Sequence, residues 1–319
     1  MEIISNCTQD VIEKAAKALT EGHLVAFPTE TVYGLGADAT NEMAVSRIYS
    51  VKGRPSDHPL IVHISSINHL EKWAIDIQEY AIKLAKDFWP GPMTLILKRS
   101  QLAKDYITGG QSRVGLRVPA QPIALALLAN FEKNGGFGIA APSANRFGAV
   151  SPTRASDVSE ELQTYLNKKD LILDGGPCLV GLESTIINCV DSLPVILRPG
   201  AVTKEMINSS LQIDGIESND ESDFKVSGSM ESHYSPKAKV FVDLPPGPGD
   251  GFIAIKSIPT PIGTIRLASP KSIEQFATDF YAALRLGDKK GLERIYVIQP
   301  EGSGLAEAIR DRLNKAASR

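Results

Sequence analysis

Apolar residues recur at helical spacing near the start of the chain, where Val11, Ile12, Ala15, Ala18 and Leu19 fall on one face. Asp10 and Glu13 have capping-box spacing and Gly22 supplies a stop, so a helix is predicted between them. HLVAF (23–27) reads as a strand halted by Pro28. A second helix is predicted from about Asn41 to Lys52, after a Thr40 cap and before Gly53 and Pro55. Short apolar runs then succeed one another: LIVHI (60–64), MTLILK (93–98), VGLRV (114–118), FGIAA (137–141), LILD (171–174), STIINCV (184–190) and PVILR (194–198). Helical patterns near 78–87 and 121–128 fall between some of them. Strands interleaved with helices predict an α/β fold, and consecutive late strands predict a mixed, twisted sheet.

From about Ile207 to Ser235 the pattern breaks into a polar, acidic, Ser/Asn/Asp/Gly-rich stretch that reads as a linker. Beyond it KVFVD (239–243), GFIAIK (251–256), TIRLA (264–268) and RIYVIQ (294–299) are strand candidates. A helix capped at Ser269-Pro270 presents Ile273, Phe276, Ala277, Phe280 and Leu284 on one face, with Gly287 as its end. A last helix from Ser303 carries Leu305, Ile309 and Leu313. The division predicted is 1–206 for the larger unit, 207–237 for a linker and candidate lid, and 238–319 for a small Rossmann-like α/β unit with no evident catalytic cluster.

Composition narrows the function classes. The 319 residues are 43% hydrophobic and 22% charged, enough apolar content for a packed core. Net charge is −3, so a bulk electrostatic nucleic-acid binder is disfavoured. The 3 cysteines, Cys7, Cys178 and Cys189, are odd in number and form no C-x-x-C pair, which argues against a disulfide scaffold or structural zinc. The N-terminus lacks a signal-peptide h-region, and no apolar stretch reaches spanning length. A cytoplasmic protein without membrane association is expected.

No P-loop, H-E-x-x-H, EF-hand loop or G-x-S-x-G elbow is present. GLGADA (34–39) matches a dinucleotide fingerprint in spelling but lacks a strand just before it. More telling is a set of polar, cationic, Gly/Pro-rich segments at strand ends: FPTETVYGLG (27–36), KGRPSDHPLIVH (52–63), RVGLRVP (113–119), APSANRFGAVSPT (141–153), GLEST (181–185) and LRPG (197–200). Strand ends of α/β sheets converge on a crevice where ligands bind. Lys52 and Arg54 bracket Gly53; Arg113 and Arg117 share strand parity about the small Gly115; Arg198 ends another strand; Ser143, Asn145, Ser151 and Thr153 add hydrogen-bonding groups. Guanidinium forks, an ammonium and hydroxyls suit a polyphosphate where no P-loop exists. Singly, each residue has a structural explanation: a helix C-terminal cation, a solvated strand face, a core histidine at His63, turn formers beside Pro142, an ordinary surface carboxylate at Glu183.

Taken in order, these segments resemble the threonylcarbamoyl-AMP synthase family, whose catalytic unit is the YrdC-like domain. FPTETVYGLG, KGRP…HPLIVH, FWPGPMTLIL, LRVPAQP, APSAN…SPT, GLESTI and LRPG carry the likeness over most of 10–205. HYSPKA (233–238) and the residues C-terminal to it resemble the longer, two-domain members. The resemblance implies a nucleotidyltransferase that makes threonylcarbamoyl-adenylate and pyrophosphate from L-threonine, bicarbonate (or CO2) and ATP, with Mg²⁺. It also implies a downstream threonylcarbamoyl transferase that modifies adenosine 37 of tRNA, and at most weak direct binding of tRNA.

By the same resemblance threonine lies near Thr31, His63, Arg117, Ala141 and Ser184. ATP lies near Arg54, His58, Ser143, Ser151, Arg198 and Tyr234, with Lys52 and Asn145 in the K-x-R and S-x-N signatures. Lys52 and Arg54 are the expected catalytic cations. Position 58 departs from the family pattern: the string is Asp57-His58-Pro59 where Asn is usual before Pro. The rival from another class is a non-enzymatic module for double-stranded RNA, against which stand the net charge and only 6% aromatic residues. A carbamoyl-adenylate activity as in hydrogenase-maturation proteins would need zinc-finger and acylphosphatase-like segments, which this sequence lacks.

Overall fold

The apolar runs pair into two sheets in the computed structural model, which describes residues 3–218 and 234–318. The larger sheet has 11 strands: β1 (Ile3–Ile4), β2 (Val25–Phe27), β3 (Gly34–Asp38), β4 (Ile61–His63), β5 (Met93–Lys98), β6 (Arg113–Arg117), β7 (Ile139–Ala140), β8 (Leu171–Leu173), β9 (Thr185–Asn188), β10 (Val195–Arg198) and β11 (Glu217–Ser218). Their order is β1-β8-β2-β3-β7-β4-β6-β5-β9-β10-β11. Parallel pairs such as β4 with β6 alternate with antiparallel ones such as β5 with β6, so the sheet is mixed, as expected. Non-consecutive neighbours matter for function: the ends of β4, β6 and β7 lie side by side although 139–140 is far from 61–63 in sequence.

Every apolar run of the strand pattern becomes a strand, mostly shorter than its pattern. GLGADA, which has no place as a nucleotide fingerprint, supplies the unforeseen strand β3, antiparallel to β2. A Cβ at Gly36 would stand 2.7 Å from Ile139 Cγ2 and 2.8 Å from the Phe27 ring, so the glycines of this strand serve close packing.

The helix boundaries correct the sequence reading in several places. The first helix is Gln9–Thr20, with Thr8 as N-cap and no side-chain cap, so the Asp10/Glu13 box does not form. The second is Glu42–Lys52, capped by Asn41 rather than Thr40; Asn41 accepts from the Ala44 N–H. Gly53 ends it with φ +62°, where a Cβ would also stand 2.6 Å from Arg146 Nη2, so a side chain there would be strained. Helix Ala155–Leu162 has no counterpart in the sequence reading. The region read as a linker from 207 begins inside helix Lys204–Leu211, and β11 then adds to the large sheet. The central part of that linker, 219–233, lies outside the described residues.

The C-terminal sheet is wholly parallel: β12 (Lys239–Val242), β13 (Gly251–Ile253), β14 (Ile265–Ala268) and β15 (Arg294–Val297), in the order β12-β15-β13-β14. Helices Ile273–Lys289 and Leu305–Ala317 pack on it. Gly287 does not stop the first of these; it is buried within it, where a Cβ would meet Ile295 at 2.4 Å. The core of this unit takes in Val32, Val150 and Leu182 from the larger one, so the two share an apolar interface.

Candidate functional site

Arg54, Arg117 and Arg198, which lie far apart in sequence, line one cavity of about 60 Å³. Thr31, His63, Ala141, Ser143, Glu183, Ser184 and Tyr234 share its wall. A water needs roughly 10–15 Å³ by this measure, so the hollow accepts a handful of small atoms. That suits an amino acid and is too small for a whole nucleotide.

Arg117 is held rigidly. It ends β6, with Nη2 2.6 Å from Glu30 Oε1 and Nε donating to the Gly91 carbonyl at 3.2 Å. Glu30 Oε2 accepts from the Ala120 N–H at 3.0 Å. Both side chains are buried. Beside them Thr29 forms a local turn: its hydroxyl donates to the Val32 carbonyl and accepts the Thr31 and Val32 N–H groups. Since the Thr29 proton goes to Val32, the 2.8 Å contact between the two hydroxyls has Thr31 as donor. Thr31 lines the cavity.

His63 ends β4 next to Arg117 in the sheet register. Burial, and then the Arg117 charge, push its pKa down to about 3, so the imidazole is neutral near pH 7. Its Nδ1 is buried without a hydrogen bond of ordinary geometry among the described residues. A neutral ring on a cavity wall suits a ligand's polar group.

On the opposite wall, Arg198 donates from Nε (3.1 Å) and Nη2 (2.8 Å) to the Ser184 carbonyl, and from Nη2 to the Ser184 hydroxyl (3.2 Å). The Ser184 hydroxyl also lies 2.7 Å from Thr94 Oγ1. Glu183, an ordinary surface carboxylate by its sequence context, is instead buried. It accepts from Ser151 Oγ at 2.5 Å, Tyr281 OH at 2.8 Å and Arg312 Nε at 3.2 Å. Burial alone would raise its pKa; Arg312, Arg198 and the two hydroxyl donors outweigh that and hold it below the usual carboxylate range.

Arg54 reaches the cavity from the turn after the second helix, and Nη2 donates to the Pro59 carbonyl at 2.9 Å. Burial lowers its pKa to about 10, which leaves it charged at neutral pH. Its guanidinium lies 5.6 Å from the Phe147 ring, and His58 meets the same ring edge-on at 5.2 Å. Phe147 in turn lines a larger groove of about 760 Å³, bounded also by Arg146, Lys237 and Arg285.

Six residues singled out from sequence do not line the small cavity: Lys52, His58, Arg113, Asn145, Ser151 and Thr153. Lys52 is buried beneath the 143–145 loop, with its ammonium donating to the Ser143 carbonyl at 2.5 Å and to the Asn145 carbonyl. Burial, and next the neighbouring Arg54 charge, push its pKa well below the lysine range. Asn145 donates to the Arg146 and Ala149 carbonyls, and Ser151 is taken up by Glu183. Tyr234 enters the wall with φ +60°, its ring stacked 5.6 Å from Tyr281. Glu30, Tyr281 and Arg312 are not among the sequence-predicted site residues, and Glu183, expected to be an ordinary surface carboxylate, joins them beside the cavity. PTET and GLEST did contain the two glutamates, whereas nothing local marked Tyr281 or Arg312.

Among the described residues no group of three His, Cys, Asp or Glu side chains forms a metal cage, no helix is long and apolar enough to cross a membrane, and the three cysteines are free thiols.

Residues 17–200 match a family described as "Telomere recombination", and residues 202–318 match one described as "Threonylcarbamoyl-AMP synthase, C-terminal domain". The threonylcarbamoyl-AMP synthase of Pyrococcus abyssi is 40% identical over 342 residues, covering 99% of this chain and 98% of that protein. The Bacillus subtilis enzyme of the same name is 38% identical over 96% of this chain and 92% of its own length. The crystal structure of P. abyssi Sua5 complexed with L-threonine superposes with a TM-score of 0.90 over 99% of this chain and 98% of that one, at 38% identity. E. coli YciO matches over 62% of this chain and 92% of its own, at 25% identity and a TM-score of 0.52. Sequence, both units of the fold and the cation-walled cavity agree: this chain belongs to the two-domain threonylcarbamoyl-AMP synthase family.

Proposed function

We propose that the chain converts L-threonine, bicarbonate-derived CO2 and ATP into threonylcarbamoyl-AMP and pyrophosphate, for modification of tRNA. The observation that carries this reading is the convergence of Arg54, Arg117 and Arg198 on one amino-acid-sized cavity, whose wall also includes the neutral His63 and the hydroxyl side chains Thr31, Ser143 and Ser184.

Threonine's carboxylate pairs with Arg117, whose Glu30 and Gly91 contacts fix the guanidinium in advance. Thr31, His63 and Ser184 meet the remaining polar atoms, and Ala141 packs against the side chain. The amine, after losing a proton, attacks CO2 to give a carbamate. A carbamate oxygen then attacks the α-phosphorus of ATP and pyrophosphate leaves. No protein nucleophile is required; positioning and charge stabilisation carry the step. Arg54 faces the phosphates, with Arg198, the Ser143 loop and Tyr234 completing that side. The nucleotide's bulk extends past Phe147 toward the larger groove, near His58.

Lys52 and Asn145 act through the loop they hold, while Ser151 acts through Glu183. Among the described residues this wall offers Mg²⁺ no free carboxylate set, because Glu183 is occupied by Arg312, Tyr281 and Ser151; any Mg²⁺ would be brought in by the nucleotide, to neutralise phosphate charge. Tyr234, buried in the wall, is proposed to help keep water from the labile product. A transferase that passes the threonylcarbamoyl group to tRNA is the expected consumer. Mass spectrometry of the products made from ¹³C-bicarbonate, threonine and ATP tests the reading: the labelled adenylate supports it, and ADP with phosphate in place of pyrophosphate, with no labelled adenylate, rejects it.

A further inference from the structure

The C-terminal unit looks from its sequence like an appendage without chemistry, yet two of its side chains end at the cavity wall. Arg312, on the last helix, is fully buried and donates to Glu183 Oε2 at 3.2 Å. Tyr281, on helix 273–289, donates its hydroxyl to the same oxygen at 2.8 Å. The same pair backs Tyr234: the Tyr281 ring stacks on it at 5.6 Å and the Arg312 guanidinium lies 5.7 Å from its ring centre. Glu183 and Tyr234 both line the cavity; Tyr281 and Arg312 do not.

We propose that Arg312 and Tyr281 are positioning residues for the threonylcarbamoyl-AMP synthase reaction, holding Glu183 and Tyr234 in place so that the C-terminal unit completes the threonine cavity. The inference rests on the proposed placement of threonine against Arg117. Its physical basis is the cost of a buried carboxylate. Of the three donors to Glu183, only Ser151 belongs to the larger unit, and one hydroxyl does not compensate the loss of water around a charge. Without Arg312 and Tyr281, Glu183 must protonate or swing out, and Ser184, its chain neighbour, moves with it. Ser184 is the group that Arg198 grips.

The charged and titratable groups around Glu183 are Arg198 from β10, Tyr234, Tyr281, and Arg312 with its own partner Asp311 on the last helix. Removing the Arg312 charge takes away a force that keeps Glu183 ionised, so the carboxyl protonates at higher pH. Threonine affinity then acquires an acid limb closer to neutrality.

The test uses the full chain. Arg312→Gln, Arg312→Lys and Tyr281→Phe are compared with wild type for threonine affinity by calorimetry from pH 5 to 8, and for pyrophosphate release. Arg312→Gln is expected to weaken threonine about tenfold at pH 7, in line with loss of a hydrogen bond to a charged group. Its acid limb should move upward. Arg312→Lys should recover most of the affinity, and Tyr281→Phe should show the same change in smaller degree. Wild-type affinity and pH dependence in folded Arg312→Gln would overturn the proposal; if that variant does not fold, unchanged values in Tyr281→Phe would do so. Calorimetry needs no turnover, so a wild type that binds threonine but makes no adenylate contradicts the assigned reaction and leaves the positioning role measurable. A wild type that does not bind threonine overturns both.

Discussion

Arg117 Nη2 lies 2.6 Å from Glu30 Oε1, with both side chains buried beside the cavity. Glu30 also accepts the Ala120 N–H, so it holds both the guanidinium and the chain beyond β6. Glu30→Ala strands a buried cation, a change that typically costs about 3–5 kcal/mol. A lower midpoint in urea titration is expected together with a higher KM for threonine. Glu30→Gln keeps the shape and one acceptor, so it should spare most of the stability while still raising KM; equal KM values in Glu30→Gln and wild type would detach Glu30 from threonine binding.

Arg54 is the wall cation assigned to the phosphates. Arg54→Ala should lower threonine- and bicarbonate-dependent pyrophosphate release by about a hundredfold or more, the size seen when a charge-stabilising donor is lost. The threonine Kd should change little. Unaltered turnover removes Arg54 from the phosphate side.

Lys52 is proposed to act at one remove. Its ammonium holds the Ser143 and Asn145 carbonyls. Lys52→Met fills the same space but leaves both carbonyls without that donor, a loss of about 1–3 kcal/mol for each buried acceptor. The expected result is a lower melting temperature together with reduced kcat/KM. Reduced kcat at wild-type stability would instead make Lys52 a direct contact of the phosphates.

His63 links pH to stability. Its folded pKa of about 3 lies below the ordinary 6.5, so the unfolded chain binds the extra proton between those values. The contribution of His63 is neutral above pH 6.5 and becomes increasingly destabilising as pH falls, by at most about 1.4 kcal/mol per pH unit. Neutral His63→Asn lacks this slope. The stability difference between wild type and variant, from urea titrations at pH 7 and pH 5, should therefore shift in favour of the variant at pH 5. A constant difference would mean that His63 titrates normally.

Much of the site was legible in sequence because its residues sit in contiguous strings at strand ends. Thr31, Arg54, His63, Arg117, Ala141, Ser143, Ser184, Arg198 and Tyr234 all line one cavity. The parts that escaped depend on distance along the chain. Glu183 meets Tyr281 across 98 residues and Arg312 across 129, and no periodicity or local motif encodes such a meeting. Helix ends were misplaced where one of several neighbouring polar residues could cap, as with Thr40 and Asn41. GLGADA reads as a loop because its small residues lack strand propensity; close packing against Phe27 and Ile139 overrides that preference.

The assigned reaction requires all three substrates at once, since the attacking oxygen exists only after threonine has taken up CO2. The most direct measurement is pyrophosphate release from ATP by the full chain, with threonine and bicarbonate each omitted in turn. Release that needs both together is the predicted result; equal release with threonine left out would contradict the account.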